Sequence, residues 1–274
     1  MRTAALGDRQ GSIPLALAVL GVAVLGWGGM IGFHALLMTT PEQAAMAEMP
    51  AAMRGLLAFC GSPPDIAGPG LGNWIFGWSL MVLAMMLPPA LPLLRASERL
   101  FQGRADRLSL LLLVPAAFLA VWILSGALLF LLGSLGRAGL HLLPAAANRP
   151  DIAAALAAIA VGLFQFTPLK MACMDACRSP TSIMMVTWKG GRPRLSALRI
   201  GARYGLICVG CCWAMMLLAV LVGALMLPIM VVAALMMTLE RMLPVFRPLI
   251  PLQAGFAIVI GVLLLVGAIP PAYF

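Results

Sequence analysis

The sequence predicts an all-α, polytopic transmembrane helical bundle, and three observations support this fold class. Hydrophobic residues make up 63% of the 274 residues, and charged residues only 10%. The apolar residues form long unbroken runs that suit membrane helices, not the short alternating segments of a membrane β-barrel. The positive residues behind the net charge of +9 are confined to short segments between these runs. This distribution indicates contact with lipid headgroups and gives no indication of nucleic-acid binding.

The apolar runs predict about seven spans in a single membrane domain that covers residues 1–274. The predicted spans are 13–38, 74–94, 108–135, 152–169, 200–227, 229–243 and 252–269. The first run is too long for the hydrophobic segment of a cleaved signal peptide, so we interpret it as a retained span. It contains a G-x-x-x-G pattern at Gly28 and Gly32, which favours close helix packing.

Prolines, charge and length predict irregular features in three of the spans. In the second span, Pro88, Pro89 and Pro92 predict a break or kink in the latter half. The fourth span is expected to end near Pro168, and the side chain of Lys170 is expected to extend to the lipid headgroups. The sixth span is short enough to be re-entrant.

The orientation follows from the Lys and Arg residues, which are concentrated in alternate segments. Among the 18 Lys and Arg residues, only Arg54, Arg137 and Arg149 fall on the other side of the predicted membrane. The positive-inside rule therefore predicts a cytoplasmic N-terminus. It also places the segment 170–203 in the cytoplasm.

The cysteines form two motifs in one part of the chain. One of the six cysteines is Cys60, and the other five lie there, namely Cys173, Cys177, Cys208, Cys211 and Cys212. The last three are spaced i, i+3 and i+4, so at least two thiols share one helical face; the first two share a face if their segment is helical. This clustering indicates a soft-metal site or redox chemistry.

Other candidate ligands fall at the same predicted depth as the cysteines. Met85 and Met86 lie in the second span, and Glu240 in the sixth. Thiolate and thioether sulfurs prefer Cu(I), and four thiolates would also accept Zn²⁺. Methionine pairs are also common core residues, and Glu240 is interfacial if the sixth span ends before it. His34 and His141 lie too far toward the outer side to join the cysteines.

Four motifs carry a resemblance to a known family. They are M-x-x-A-M-M-x-P-x-x-x-P, T-P-L-K-x-x-C-x-x-x-C-R-S-P, G-x-x-x-G-x-x-C-x-G-C-C-W and a late E-R-x-x-P, which begin at Met81, Thr167, Gly201 and Glu240. The sequence resembles a bacterial family of predicted metal-binding integral membrane proteins, long a domain of unknown function and sometimes labelled copper chaperones. The resemblance implies a copper site that uses the five clustered cysteines with Met85 or Met86, in a multi-pass protein of the inner membrane. The family pattern has histidine where this chain has Tyr204 and lysine where it has Arg241.

Three function classes follow from these observations. The first is a metal-handling membrane protein that binds Cu(I) for delivery to, or assembly of, a membrane metalloprotein, with a transporter as a variant. The second is a structural or assembly subunit of a larger membrane complex with a degenerate metal site. The third, a thiol oxidoreductase, fits poorly with cysteines on the cytoplasmic side. The sequence has no hydrolase triad, phosphate loop or nucleotide fingerprint, so we expect a non-enzyme. The expected partners are the lipid bilayer and other membrane proteins.

Overall fold

The computed structural model describes residues 2–37, 71–141, 150–221, 226–242 and 249–266. These ranges contain ten α-helices and no β-strand, which confirms the all-helical fold class. The helices are α1 (Arg2–Leu37), α2 (Leu71–Met86), α3 (Leu91–Leu100), α4 (Arg107–His141), α5 (Pro150–Phe164), α6 (Pro168–Arg178), α7 (Pro180–Thr187), α8 (Pro193–Leu221), α9 (Met226–Met242) and α10 (Leu249–Leu265). A short 3₁₀ helix, Pro88–Ala90, joins α2 to α3.

Three to five segments of the described chain are suited to crossing a membrane by length and composition. Three are single helices, the segments Pro14–Gly32, Arg107–Leu135 and Pro193–Leu218. Two are broken helix pairs: α2 with the segment Pro88–Leu100, bent by 53°, and α5 with α6, bent by 59°. Three features stay predictions: the number of about seven spans, the cytoplasmic N-terminus and the single domain over residues 1–274.

Proline chemistry explains both bends. A proline removes a backbone donor and its ring clashes with the preceding helical turn. In the first bend, α2 therefore ends at Met86, and Pro88 opens the 3₁₀ helix. In the second, the Thr167 hydroxyl accepts the Lys170 N–H at 3.3 Å, and Pro168 stands in the first turn of α6. A hydroxyl cap followed by proline is a strong helix start. The predicted breaks near these prolines are confirmed.

The bundle is assembled around α8, which packs against α4, α5, α6, α7 and α9. Gly201 permits the close approach of α8 to α4, because a Cβ there would collide with the carbonyl oxygen of Val114. Gly162 and Gly261 do the same for α5 and α10. Small residues of this kind let helix backbones approach closely inside a membrane. The centre of α8 is therefore surrounded on several sides by other helices.

In α1, the glycines that contact the bundle are not the predicted pair. A Cβ on Gly26 would lie 2.9 Å from the backbone nitrogen of Ala84 in α2, and one on Gly29 would lie 3.0 Å from the side chain of Leu80. A Cβ added at Gly28 or Gly32 would meet no atom of another described residue within 4 Å. The G-x-x-x-G pattern therefore faces away from the bundle. The glycines that face α2 are Gly26 and Gly29.

Candidate metal centre

Four thiols from two helices meet at one buried place. The sulfur of Cys177 in α6 lies 3.8 Å from that of Cys211 in α8, and the Cys211 and Cys212 sulfurs are 3.4 Å apart. Cys208 lies one helical turn before Cys211 and is equally buried. The cysteines are free thiols. The structure thus brings together four of the five cysteines that the spacing singled out.

Arg241 of α9 reaches into this group of thiols. Its Nη2 atom donates to the sulfurs of Cys208 at 3.0 Å, Cys211 at 2.9 Å and Cys212 at 2.9 Å. We call these three sulfurs the sulfur cradle. From the sequence, Arg241 stands out only as the residue at the position of the family's lysine, and its contact with the thiols is not predicted. A basic residue that is buried in an apolar interior needs an acceptor for its charge. The sequence does not show which helix supplies that acceptor for Arg241.

A buried ion pair lies beside the cradle. Lys170 and Glu240 are only 1% and 2% exposed, and their Nζ and Oε2 atoms are 3.8 Å apart. The expectation that Lys170 extends to the headgroups is therefore wrong, because the bend before α6 turns its first helical turn into the bundle. Glu240 is buried within the bundle and has a basic partner. Whether it lies at the depth of the membrane interface stays open.

Two further contacts fix the C-terminal end of α6. Arg178 donates to the backbone carbonyl oxygen of Glu240, with its Nε at 3.0 Å and its Nη2 as a second donor. The Tyr204 hydroxyl donates to the carbonyl oxygen of Cys177 at 3.3 Å, and its ring packs against Phe118. Tyr204, at the position of the family's histidine, thus ties α8 to the helix end that carries Cys177.

The other predicted ligands lie around this cluster rather than in it. Cys173 packs against Gly210, where an added Cβ would be 2.9 Å from its sulfur. Met85 and Met86 are fully buried at the end of α2. The hydrogen-bonding contacts described for the cradle include none of the three, so their roles as ligands stay predictions.

The predictions for three further residues concern side chains outside the described part of the structure. Cys60 lies outside the described residues. His34 and His141 lie in α1 and at the end of α4, and their side chains are likewise outside the part that is described.

The donor chemistry of the cluster suits a soft cation. As they stand, no three or more His, Cys, Asp or Glu side chains in the described ranges are arranged to hold a metal ion. The point on which the cradle sulfurs converge carries the Arg241 guanidinium. Thiolate bonds to zinc of about 2.3 Å would separate two ligands by roughly 3.8 Å in a tetrahedral site. The 3.8 Å between Cys177 and Cys211 matches this spacing, and the 3.4 Å between Cys211 and Cys212 is somewhat shorter.

Fold and site together define a class: an all-helical protein with helices of membrane-crossing length and a buried thiol cluster. The family can now be stated. The family model described as PpoB2, a copper chaperone, matches residues 75–264, and the chain belongs to that family. This confirms the resemblance drawn from the motifs. No curated protein and no solved structure matches the chain.

The matched region contains the cradle, Cys177, the Lys170–Glu240 pair and Arg241. Membership of the family supports a general role in copper handling. The family description is that of a chaperone, which suggests a non-catalytic role.

Proposed function

We propose that the protein is an integral membrane copper chaperone that binds Cu(I) between α6 and α8 and delivers it to a membrane metalloprotein during assembly. The observation that carries the proposal is the convergence of the sulfurs of Cys208, Cys211 and Cys212, with Cys177 approaching from a second helix. Cu(I) prefers soft sulfur ligands, whereas Mg²⁺ and Ca²⁺ prefer oxygen.

The surroundings of the thiols support this cargo. Several further sulfur side chains are buried in the same core, namely Met174, Met184, Met215, Met216 and Met237. Thioethers are soft ligands as well, so the interior offers additional coordination to a moving Cu(I) ion. The apolar residues around the cluster exclude solvent, and such a shell helps to set the redox potential of a bound metal. The structure therefore supports a sheltered site better than a surface site.

The outer surface of the bundle supports residence in a membrane. Large apolar side chains on α4 are exposed, among them Leu108 at 71%, Leu112 at 62% and Leu124 at 68%. Exposed apolar surface on this scale needs lipid or a partner protein to cover it. Delivery to a metalloprotein in the same membrane would spare the ion a passage through water.

The test is metal analysis of the full chain, purified in detergent from copper-replete cells. We expect the wild type to carry copper and the double variant Cys208→Ser plus Cys211→Ser to carry none. The matched control is Cys60→Ser, which removes a thiol outside the described cluster and should keep its copper. A wild-type protein that is free of metal, or that carries zinc in place of copper, would contradict the proposal.

A second candidate function is that of an assembly subunit in a larger membrane complex. The observation that favours it is the open face of α1, where Cβ atoms added at Gly21, Gly28 and Gly32 would meet nothing within 4 Å. A face of small residues suits close packing of a partner helix. Mild-detergent purification should then yield a larger assembly that Gly28→Leu plus Gly32→Leu disrupts and Gly255→Leu, at another open position, leaves intact. A wild-type monomer under these conditions would argue against this candidate.

A further inference from the structure

We infer that Arg241 is a resident cation of the metal site, and that Cu(I) enters the sulfur cradle by exchanging with its guanidinium. The inference rests on the proposed copper-binding function and adds a residue that governs which cations the site accepts. Its basis is the contact of one guanidinium nitrogen with three cysteine sulfurs at 2.9–3.0 Å.

The cradle has room for only one cation at a time. Thiolate–metal bonds are about 2.3 Å long for zinc, so a metal bound to the same three sulfurs would lie close to the present position of Nη2. Two positive groups cannot share that position, for steric and electrostatic reasons. Metal binding through Cys208, Cys211 and Cys212 therefore requires Nη2 to leave.

The guanidinium is held in a way that permits this displacement. Nη1 of Arg241 is buried and has no hydrogen-bond partner among the described residues. Guanidinium is a fork of five donors, and a buried donor without an acceptor costs free energy. The present position of Arg241 therefore includes an unfavourable contribution from Nη1. This contribution reduces the free energy that is lost when Nη2 leaves the sulfurs. Arg241 also stands at the end of α9, one residue before its last described residue, Met242.

The exchange favours monovalent ions. Metal binding releases the protons of the coordinating thiols to solvent. For the same number of thiolates, replacing a guanidinium by Cu(I) exchanges one positive charge for another in the cradle, whereas Zn²⁺ would add one. Charge–charge interactions are strong in a buried site because little water screens them. The displaced guanidinium remains attached to α9 and repels a divalent ion more than a monovalent one. Arg241 thus selects Cu(I), or its analogue Ag(I), over Zn²⁺.

The first test replaces Arg241 in the full chain by leucine, which is apolar and has no atom that can bind the metal. Cu(I) affinity is measured anaerobically in detergent by competition with the chromogenic chelator bicinchoninate. Without the competing cation, Arg241→Leu should bind Cu(I) about tenfold more tightly, the factor that corresponds to 1.4 kcal/mol. Its preference for Cu(I) over Zn²⁺ should fall. Arg241→Lys, which keeps a cation near the cradle, is the matched control and should stay within a few-fold of wild type.

The outcomes separate this inference from the function on which it rests. If wild type and Arg241→Leu bind Cu(I) equally well, or the variant binds more weakly, the exchange is refuted and copper binding stands. If neither binds Cu(I), the proposed function fails, and the exchange fails with it. A structure of the copper-loaded wild type is a second test, which does not depend on whether a variant folds. It should show Nη2 out of hydrogen-bonding range of the cradle, and a guanidinium still in contact with all three sulfurs would overturn the inference.

Discussion

The Nζ atom of Lys170 lies 3.8 Å from Oε2 of Glu240, in a part of the bundle where both side chains are almost fully buried. Removing two charges from water costs several kcal/mol per ion, and their attraction offsets this only when geometry and hydrogen bonding are good. The separation of 3.8 Å is long for an ion pair, and Oε1 of Glu240 has no hydrogen-bond partner in the part of the chain that the structure describes. The pair is therefore a weak source of stability, and its position beside Arg241 indicates a role in orienting the end of α9.

Breaking this pair from one side should destabilise the protein strongly. Glu240→Gln leaves the Lys170 charge buried without its counter-charge, and we expect a loss of about 3–5 kcal/mol in the free energy of unfolding. Lys170→Met combined with Glu240→Leu removes both charges and should recover most of that loss. Reversible unfolding in mixed detergent micelles measures both.

The control for this prediction is the exposed pair of Arg104 and Asp106. Asp106→Asn should leave the unfolding midpoint unchanged, because solvent screens exposed charges. A Glu240→Gln variant as stable as Asp106→Asn would show that the buried pair carries no such energy.

The two cysteines of α6 should differ in their effect on copper. Cys177 contacts the sulfur of Cys211, whereas Cys173 packs against Gly210. Cys177→Ser should therefore weaken Cu(I) binding about tenfold or more, while Cys173→Ser should stay close to wild type. Chelator competition on the two single variants makes the comparison. Equal losses in both would show that Cys173 moves into the site when metal binds.

Close packing of α8 on α4 should make Gly201 intolerant of a side chain. A Cβ at Gly201 would collide with the carbonyl oxygen of Val114 and come within 3.0 Å of Ala117. Gly201→Ala should destabilise the bundle by about 1–3 kcal/mol, the usual cost of overpacking. Gly255→Ala makes the same change in open space and should be neutral or gain up to about 1 kcal/mol from helix propensity. Thermal unfolding in detergent separates the two, and equal melting temperatures would contradict the packing argument.

The predicted orientation can be tested by cysteine labelling in intact cells. With Cys60→Ser as background, Asn73→Cys at the start of α2 should react with a membrane-impermeant maleimide added outside. Gln102→Cys, in the basic segment after α3, should react only after the cells are permeabilised. Both positions are exposed in the structure. Labelling of position 102 in intact cells would reverse the orientation that the positive charges predict.

Local rules predicted the parts of the structure that depend on neighbouring residues. Proline positions predicted the bends after Met86 and before Pro168, because a missing donor and a steric clash act within a single turn. The i, i+3 and i+4 spacing predicted that thiols of α8 share a face, because helical periodicity fixes it.

Contacts between helices were beyond the reach of those rules. Lys170 was expected at the lipid surface. The residues of α6 alone do not determine the direction that this helix takes after the bend, so the burial of Lys170 could not be predicted from them. Arg241 was missed because its contact with Cys208, Cys211 and Cys212 depends on how α9 lies against α8. Met85 and Met86 show the same limit: their predicted depth placed them in a layer of the membrane but did not decide which sulfurs they face.

Arg178 holds the carbonyl oxygen of Glu240, the residue next to Arg241, and so connects the end of α9 to the helix that carries Cys177. If the guanidinium leaves the thiols as proposed, this contact would transmit the movement to α6. Under the proposed exchange, the metal-free and metal-bound forms would therefore differ in the positions of two helices, a difference that a copper-accepting partner protein could recognise.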